Sequence, residues 1–225
     1  MKLVDKEIDS WIEPYATVVG SGVTVDIGLK ESDIAKYFLK LTQPEIFEAY
    51  AFSLTSLRFY ESISQDKSTN NLIDLQEDEY KKIKWKDFFK SKDVDFRLND
   101  AIAKAIDPKL SLNETYPGDG HMEKEQINSF TECILSLYGD QEIEVFYVFM
   151  STWEMKNLLY QGNISELPKL LNNPDLRLTP SLVYPKEKNW ALNTDYDLPF
   201  TTIGGESRLI DLLAEKNKDK IYRIK

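Results

Sequence analysis

The stretch NWALNTDYDLPFTTIGGESRLIDLL, residues 189–213, decides how the chain is read. Trp190, Leu192, Thr194 and Tyr196 alternate with Ala191, Asn193, Asp195 and Asp197. That period of two predicts a strand with an aromatic-bearing face and both carboxylates on the other face. Pro199 stops the ladder, Gly204-Gly205 permit positive φ or a close backbone approach, and Leu209, Ile210, Leu212 and Leu213 form a helical stripe. The block is expected to run strand, Gly-Gly turn, helix.

The residues before this block also read as sheet. IEVFYVFM, residues 143–150, is apolar except for Glu144, as expected of a central strand covered on both faces. MKNLLYQG (155–162) and PSLVYP (180–185) add two more strands, and the short polar link 186–189 makes a hairpin with the Trp190 strand. Residues 164–171 form a short helix that Asn163 can cap. Residues 123–138 form a longer helix with Ile127, Phe130, Ile134 and Leu137 inward. Cys133 lies beside that stripe and reads as a buried, inert thiol.

The first half has a different texture. β-branched residues flank Gly20-Ser21-Gly22 within 15–27, the composition of a hairpin. Ile34, Tyr37, Phe38 and Leu41 then give a helix over 31–41. Thr42, Pro44 and Glu45 look like the start of another helix, over 44–63, apolar around more than half its circumference. Polar residues 64–71 read as an exposed loop, and further helices are expected over 77–89 and 96–106. The Pro- and Gly-bearing segment 107–121 is the natural place to divide the chain. The division is a mainly helical region 1–112 and an α+β region 113–225, or one compact domain spanning 1–225. The expected fold class is α+β: a helical N-terminal half with a β-hairpin near the N-terminus, and a small, mainly antiparallel sheet flanked by helices in the C-terminal half.

Composition narrows the function classes. A net charge of −10 argues against nonspecific nucleic-acid binding, which needs clustered Lys and Arg facing phosphate, and suits a basic protein partner or simple solubility. No apolar run is long enough to span a bilayer, and the acidic opening MKLVDKEIDSWIEP is unlike a signal peptide, so a cytoplasmic protein without membrane contact is expected. One Cys and one His exclude an intrachain disulfide and any zinc site with four Cys, or with two Cys and two His, within the chain. No cofactor is expected, and a metal would be held mainly by oxygen.

Several short motifs recur in order along the second half: Pro117-Gly118-Asp119-Gly120 before a helix, Trp153-Glu154, Tyr160-Gln161-Gly162, Tyr184-Pro185 leading to Trp190, then Asp195-x-Asp197, Thr201 and Gly204-Gly205. In that order they resemble an uncharacterised family of bacterial proteins, over roughly residues 117–213. The resemblance implies no activity. The chain departs from the pattern at Met155, where such sequences often carry glycine, which counts against a close backbone approach there.

Among candidate functional residues, Asp195 and Asp197 are the sharpest. On one strand face they lie about 7 Å apart along the backbone, so their oxygens can share a hard cation, and Gly204-Gly205 ahead of a helix could receive an anion. The plainer reading is that both aspartates, with Thr201 and Thr202, stabilise the bend, since Asp-x-Asp is common in surface loops and no Walker-type lysine accompanies the glycines. His121, the sole imidazole, is the only available histidine acid or base, yet no Ser, Cys or carboxylate pair stands at a diagnostic spacing. Glu154 is a carboxylate at a strand end or a solvated turn residue. Trp190 and the other tryptophans mark a protein-binding surface if exposed and a core if buried. The expected function is a noncatalytic protein-binding module, such as an acidic inhibitor or immunity-like partner of a basic protein. The alternative is a hard-metal-assisted enzyme acting on a phosphate-containing substrate.

Overall fold

The computed structural model describes residues 1–17, 34–59, 80–106, 114–115 and 119–224. In chain order the strands are β1 Lys2–Val4, β2 Ala49–Leu54, β3 Leu57–Phe59, β4 Lys81–Ile83, β5 Glu114–Thr115, β6 Glu142–Tyr147, β7 Leu158–Asn163, β8 Leu182–Pro185, β9 Trp190–Asn193, β10 Phe200–Gly205 and β11 Ile221–Ile224. The helices are α1 Ile34–Thr42, α2 Trp85–Ser91, α3 Leu98–Ala105, α4 Lys124–Tyr138, α5 Leu167–Leu170 and α6 Ser207–Lys216. Eight strands pair antiparallel in the order β1-β7-β6-β8-β9-β10-β2-β11, and β3 sits between β4 and β5 in a second, three-stranded sheet.

The large sheet is buried on both faces. Ala51, Val145, Val183, Leu192 and Ile203 pack on one face against Ile127, Phe130 and Ile134 of α4 and Leu209, Ile210 and Leu213 of α6. On the other face Phe52, Leu54 and Phe200 meet Phe38 of α1 and the Trp85, Phe88, Phe89 and Ile102 side chains of α2 and α3. The same face at its other end carries Phe146, Leu182, Tyr184 and Ala191 beneath Ile12 and Trp11. A sheet covered twice needs apolar residues at successive positions, and β2 accordingly is buried at five of six residues.

These findings correct the expected fold class. The sheet is large rather than small, and it draws β1 and β2 from before residue 112 and six strands from after it. The N-terminal half is not helical: residues 49–54 and 57–59, expected within a long helix, are strands, and 81–83 is a strand ahead of α2. Thr42 does not open a helix; it closes α1, where its hydroxyl donates to Phe38 O at 2.8 Å. The expected hairpin at 15–27 and loop at 64–71 fall mainly or wholly outside the described residues.

The block at 189–213 is also corrected. β9 ends at Asn193, a turn spans 195–199, and Phe200–Gly205 form a strand, so Gly204-Gly205 lie in the ladder rather than in a turn. Gly204 pairs with Tyr50 on one side and Ala191 on the other. Glycine is needed there for close approach: a Cβ would overlap Phe47 Cδ2 and fall 2.9 Å from Gln43 Oε1.

Candidate functional site

Antiparallel pairing sends particular connections to the same end of the large sheet. The exits of β2, β6 and β9 and the entrances of β7, β8, β10 and β11 all lie at that end. The loops gathered there are 148–157, 171–181 and 194–199, joined by residues 119–123 ahead of α4.

Backbone hydrogen bonds lock these loops together. Gly120 N donates to Leu198 O at 3.1 Å, while Gly120 O accepts from Thr179 N at 3.3 Å and Thr179 Oγ1 at 2.8 Å. Gly120 has φ +67, and a Cβ on it would fall 2.8 Å from Leu178 Cδ1 and 2.9 Å from the Tyr196 Cα. Only glycine fits both the backbone and the space. Ser151 O accepts from Arg177 N at 3.0 Å, and Trp153 N donates to Asp175 O at 3.3 Å, which joins the 148–157 loop to the 171–181 loop.

Within the first of these loops, Thr152 Oγ1 donates to Lys156 O at 2.8 Å and accepts from Lys156 N at 3.1 Å. Met155 completes this tight turn at φ 55. The turn lifts Trp153 out of the surface at 65% exposure, with Met155 and Phe149 also exposed beside it. The Arg177 guanidinium lies 5.7 Å from the Trp153 ring centre, and the Phe149 and Tyr196 rings are 6.4 Å apart. The loop thus presents a shelf of three exposed large apolar side chains, Phe149, Trp153 and Met155, on a backbone fixed by hydrogen bonds.

Carboxylates border the shelf. Asp195 is buried and its Oδ1 accepts from Asp197 N at 2.9 Å, while Leu198 N donates to Asp195 O at 3.2 Å, so the carboxylate closes the turn. Asp197 and Asp119 are exposed. Partial burial of its carboxyl, then the charges of Asp197 and Asp195, push Asp119 up to about 6. Further along this end, Glu123 is buried and accepts from Lys220 and from Ser56, with Lys82 at 3.3 Å. Burial alone would raise Glu123, but Lys220 and Lys82 hold it below the ordinary value. Glu123 and Gln126 also form the capping box of α4.

Of the residues singled out from the sequence, His121, Glu154, Asp195 and Asp197 come to this end of the sheet. Glu154 is exposed and paired with Lys156 at 3.1 Å, and His121 is half-buried with its carbonyl accepting from Thr55 at 2.7 Å. Thr201 is buried just inside β10, its hydroxyl 2.8 Å from that of Thr194. Trp190, Gly204 and Gly205 lie at the opposite end. Trp190 is fully buried against Phe130, with its indole donating to Gln141 at 2.9 Å, a core role. From the start of β10 to Gly205 the strand runs about 17 Å, so the glycines do not join the aspartates in one metal-phosphate site. Among the described residues, no group of three or more His, Cys, Asp or Glu side chains is arranged to hold a metal ion, and no helix is long and apolar enough to cross a membrane.

Sequence reasoning missed Asp119 and the shelf of Phe149, Met155 and Tyr196. The available signal was positional: strand-flanking loops that carry Trp, Phe and Met where polar residues are usual. Comparison with family models, curated proteins and solved structures finds no match for the chain.

Proposed function

We propose that this protein is a noncatalytic binding module for a basic protein, acting in the cytoplasm as an inhibitor or immunity-like partner would. The observation that carries the reading is Trp153, 65% exposed on a turn fixed by its own hydrogen bonds. Tryptophan is enriched at the energetic centre of protein interfaces, and a loop whose backbone is already fixed costs less to order on binding. The net charge of −10 favours a cationic partner and speeds its approach.

The test is capture from an extract of the native host with the full chain as bait, in parallel with a Trp153→Ala bait. The reading expects a basic protein held by the wild type, released by added salt, and reduced by about tenfold or more on the variant, the scale of an interface hot spot. A protein held equally by both baits would remove this end of the sheet as the contact surface, and salt-insensitive binding would remove the electrostatic part.

A further inference from the structure

We infer that this end of the sheet reads one cationic side chain of its partner: a lysine or arginine seated against Asp119 and Asp197, with a neighbouring large apolar residue laid on Phe149, Trp153 and Tyr196. The inference rests on the protein-binding reading above and adds the chemistry of the contact.

The two halves of the recognition surface are fixed relative to each other. Tyr196 belongs to the shelf through its ring contact with Phe149, and its neighbour in sequence is Asp197. The Tyr196 backbone presses on Gly120, whose neighbour is Asp119. Asp119 and Asp197 thus flank two residues that touch each other, and the Gly120 N to Leu198 O bond holds their two loops together. Among the described residues, neither Asp119 nor Asp197 has a cation within 4.0 Å, whereas Glu154 nearby is already paired with Lys156. Burial, and then repulsion from Asp197 and Asp195, raises Asp119.

Charge also selects the occupant. Nucleic acid and an anionic membrane surface would both be repelled by this rim. A second copy of the chain would set the same carboxylates against each other at a net charge of −10 each. A cationic protein segment is attracted by Asp119 and Asp197, and its charge must keep clear of the Arg177 guanidinium 5.7 Å from the Trp153 ring. Its apolar neighbour would cover the open face of Trp153, as the Arg177 guanidinium covers the other.

Capped pentapeptides of sequence Gly-Leu-Arg-Phe-Gly, and versions with Gln or Glu in place of Arg, test this directly against the full chain. The readout is the indole N–H signal of Trp153 in a nitrogen-15 spectrum, assigned with Trp153→Phe. The Arg peptide should shift that signal saturably, with the Gln peptide weaker by about fivefold and the Glu peptide by about tenfold or more, as expected for loss of a charge-assisted contact. The double variant Asp119→Asn, Asp197→Asn alters two exposed residues and should abolish the preference for Arg over Gln while leaving the spectrum folded. Equal binding of the Arg and Gln peptides, or no shift with the Arg peptide, overturns the cation-reading inference. The capture experiment decides the protein-binding reading independently, since it depends on the native partner and on Trp153 alone.

Discussion

Gly204 lies against the ring of Phe47, which also makes T-shaped contacts with Trp11 and Tyr50 at 6.5 and 6.0 Å between ring centres. A Cβ at Gly204 would overlap Phe47 Cδ2, with Cε2 of the same ring at 2.8 Å, whereas at Gly205 the nearest atom would be the terminal Leu209 Cδ2 at 3.0 Å. Gly204→Ala is therefore expected to destabilise the fold by about 1–3 kcal/mol, the scale of overpacking, because the half-buried Phe47 ring must move, and Gly205→Ala by about 1 kcal/mol or less. Urea denaturation of both variants checks the ordering. Equal effects would mean that Phe47 swings aside as easily as a leucine methyl.

The same pair shows why part of the fold is legible in the sequence and part is not. A Gly-Gly dipeptide announces either positive φ or close approach, and local sequence does not say which. Here the answer depends on Phe47, far away in the chain. Residues 49–54 read as helix for a related reason. β2 is covered on both faces, so the period of two that betrays a strand is erased and a dense apolar run remains. β6, equally covered, is legible because its β-branched and aromatic run is short and bounded by Gly139-Asp140. α4 is legible from its own stripe. The end-of-sheet site is made by pairings such as Thr202 with Phe52, which bring together loops that look unrelated in sequence.

Met155 occupies φ 55, a region costly for a residue with a Cβ. Met155→Gly should raise stability by about 0.5–1 kcal/mol, because the strain relieved exceeds the packing that a side chain 50% exposed can supply. Thermal melts read this directly. A destabilised Met155→Gly would show that the methionine packs on the shelf more tightly than its exposure suggests.

Two carboxylates give opposite pH signatures. Burial, then Asp197 and Asp195, raises Asp119 in the folded state to about 6, so its charge weakens the fold above that pH and the penalty is relieved as pH falls toward the ordinary aspartate value of 3.8. Asp119→Asn should therefore stabilise the protein at pH 7.5, by about 1 kcal/mol or less after solvent screening, and have no effect near pH 4. Burial pushes Glu123 up, but Lys220 and Lys82 together outweigh it and lower the group, so its contribution is present above the ordinary value of 4.5 and is lost as pH falls through its folded value. Glu123→Gln should cost about 2–4 kcal/mol at pH 7.5, because Lys220 loses its buried partner, and progressively less in acid. Urea midpoints across pH 3.5–8 separate the two. Parallel pH profiles for the two variants would contradict the opposed electrostatic settings.

Asp195 tests whether the sharpest motif in the sequence serves the turn or a metal. Its Oδ1 accepts the Asp197 N–H at 2.9 Å in a buried position, a bond that needs an acceptor and not a charge. Asp195→Asn keeps the acceptor and should lose little stability, whereas Asp195→Ala leaves the amide unpaired and should cost about 1–3 kcal/mol. Removing the charge has a second consequence, since Asp195 contributes to the elevation of Asp119. In Asp195→Asn the Asp119 carboxyl should titrate below the wild-type midpoint of about 6, as followed by carbon-13 resonance of the side chain. Millimolar Mg2+ or Mn2+ should leave the melting temperature of the wild type unchanged, because one carboxylate oxygen is engaged by the backbone and the glycines lie at the far end of β10. If instead either metal raises the melting temperature of the wild type but not of Asp195→Asn, Asp195 is a ligand, and the hydrogen bond to Asp197 is a resting state that metal binding replaces.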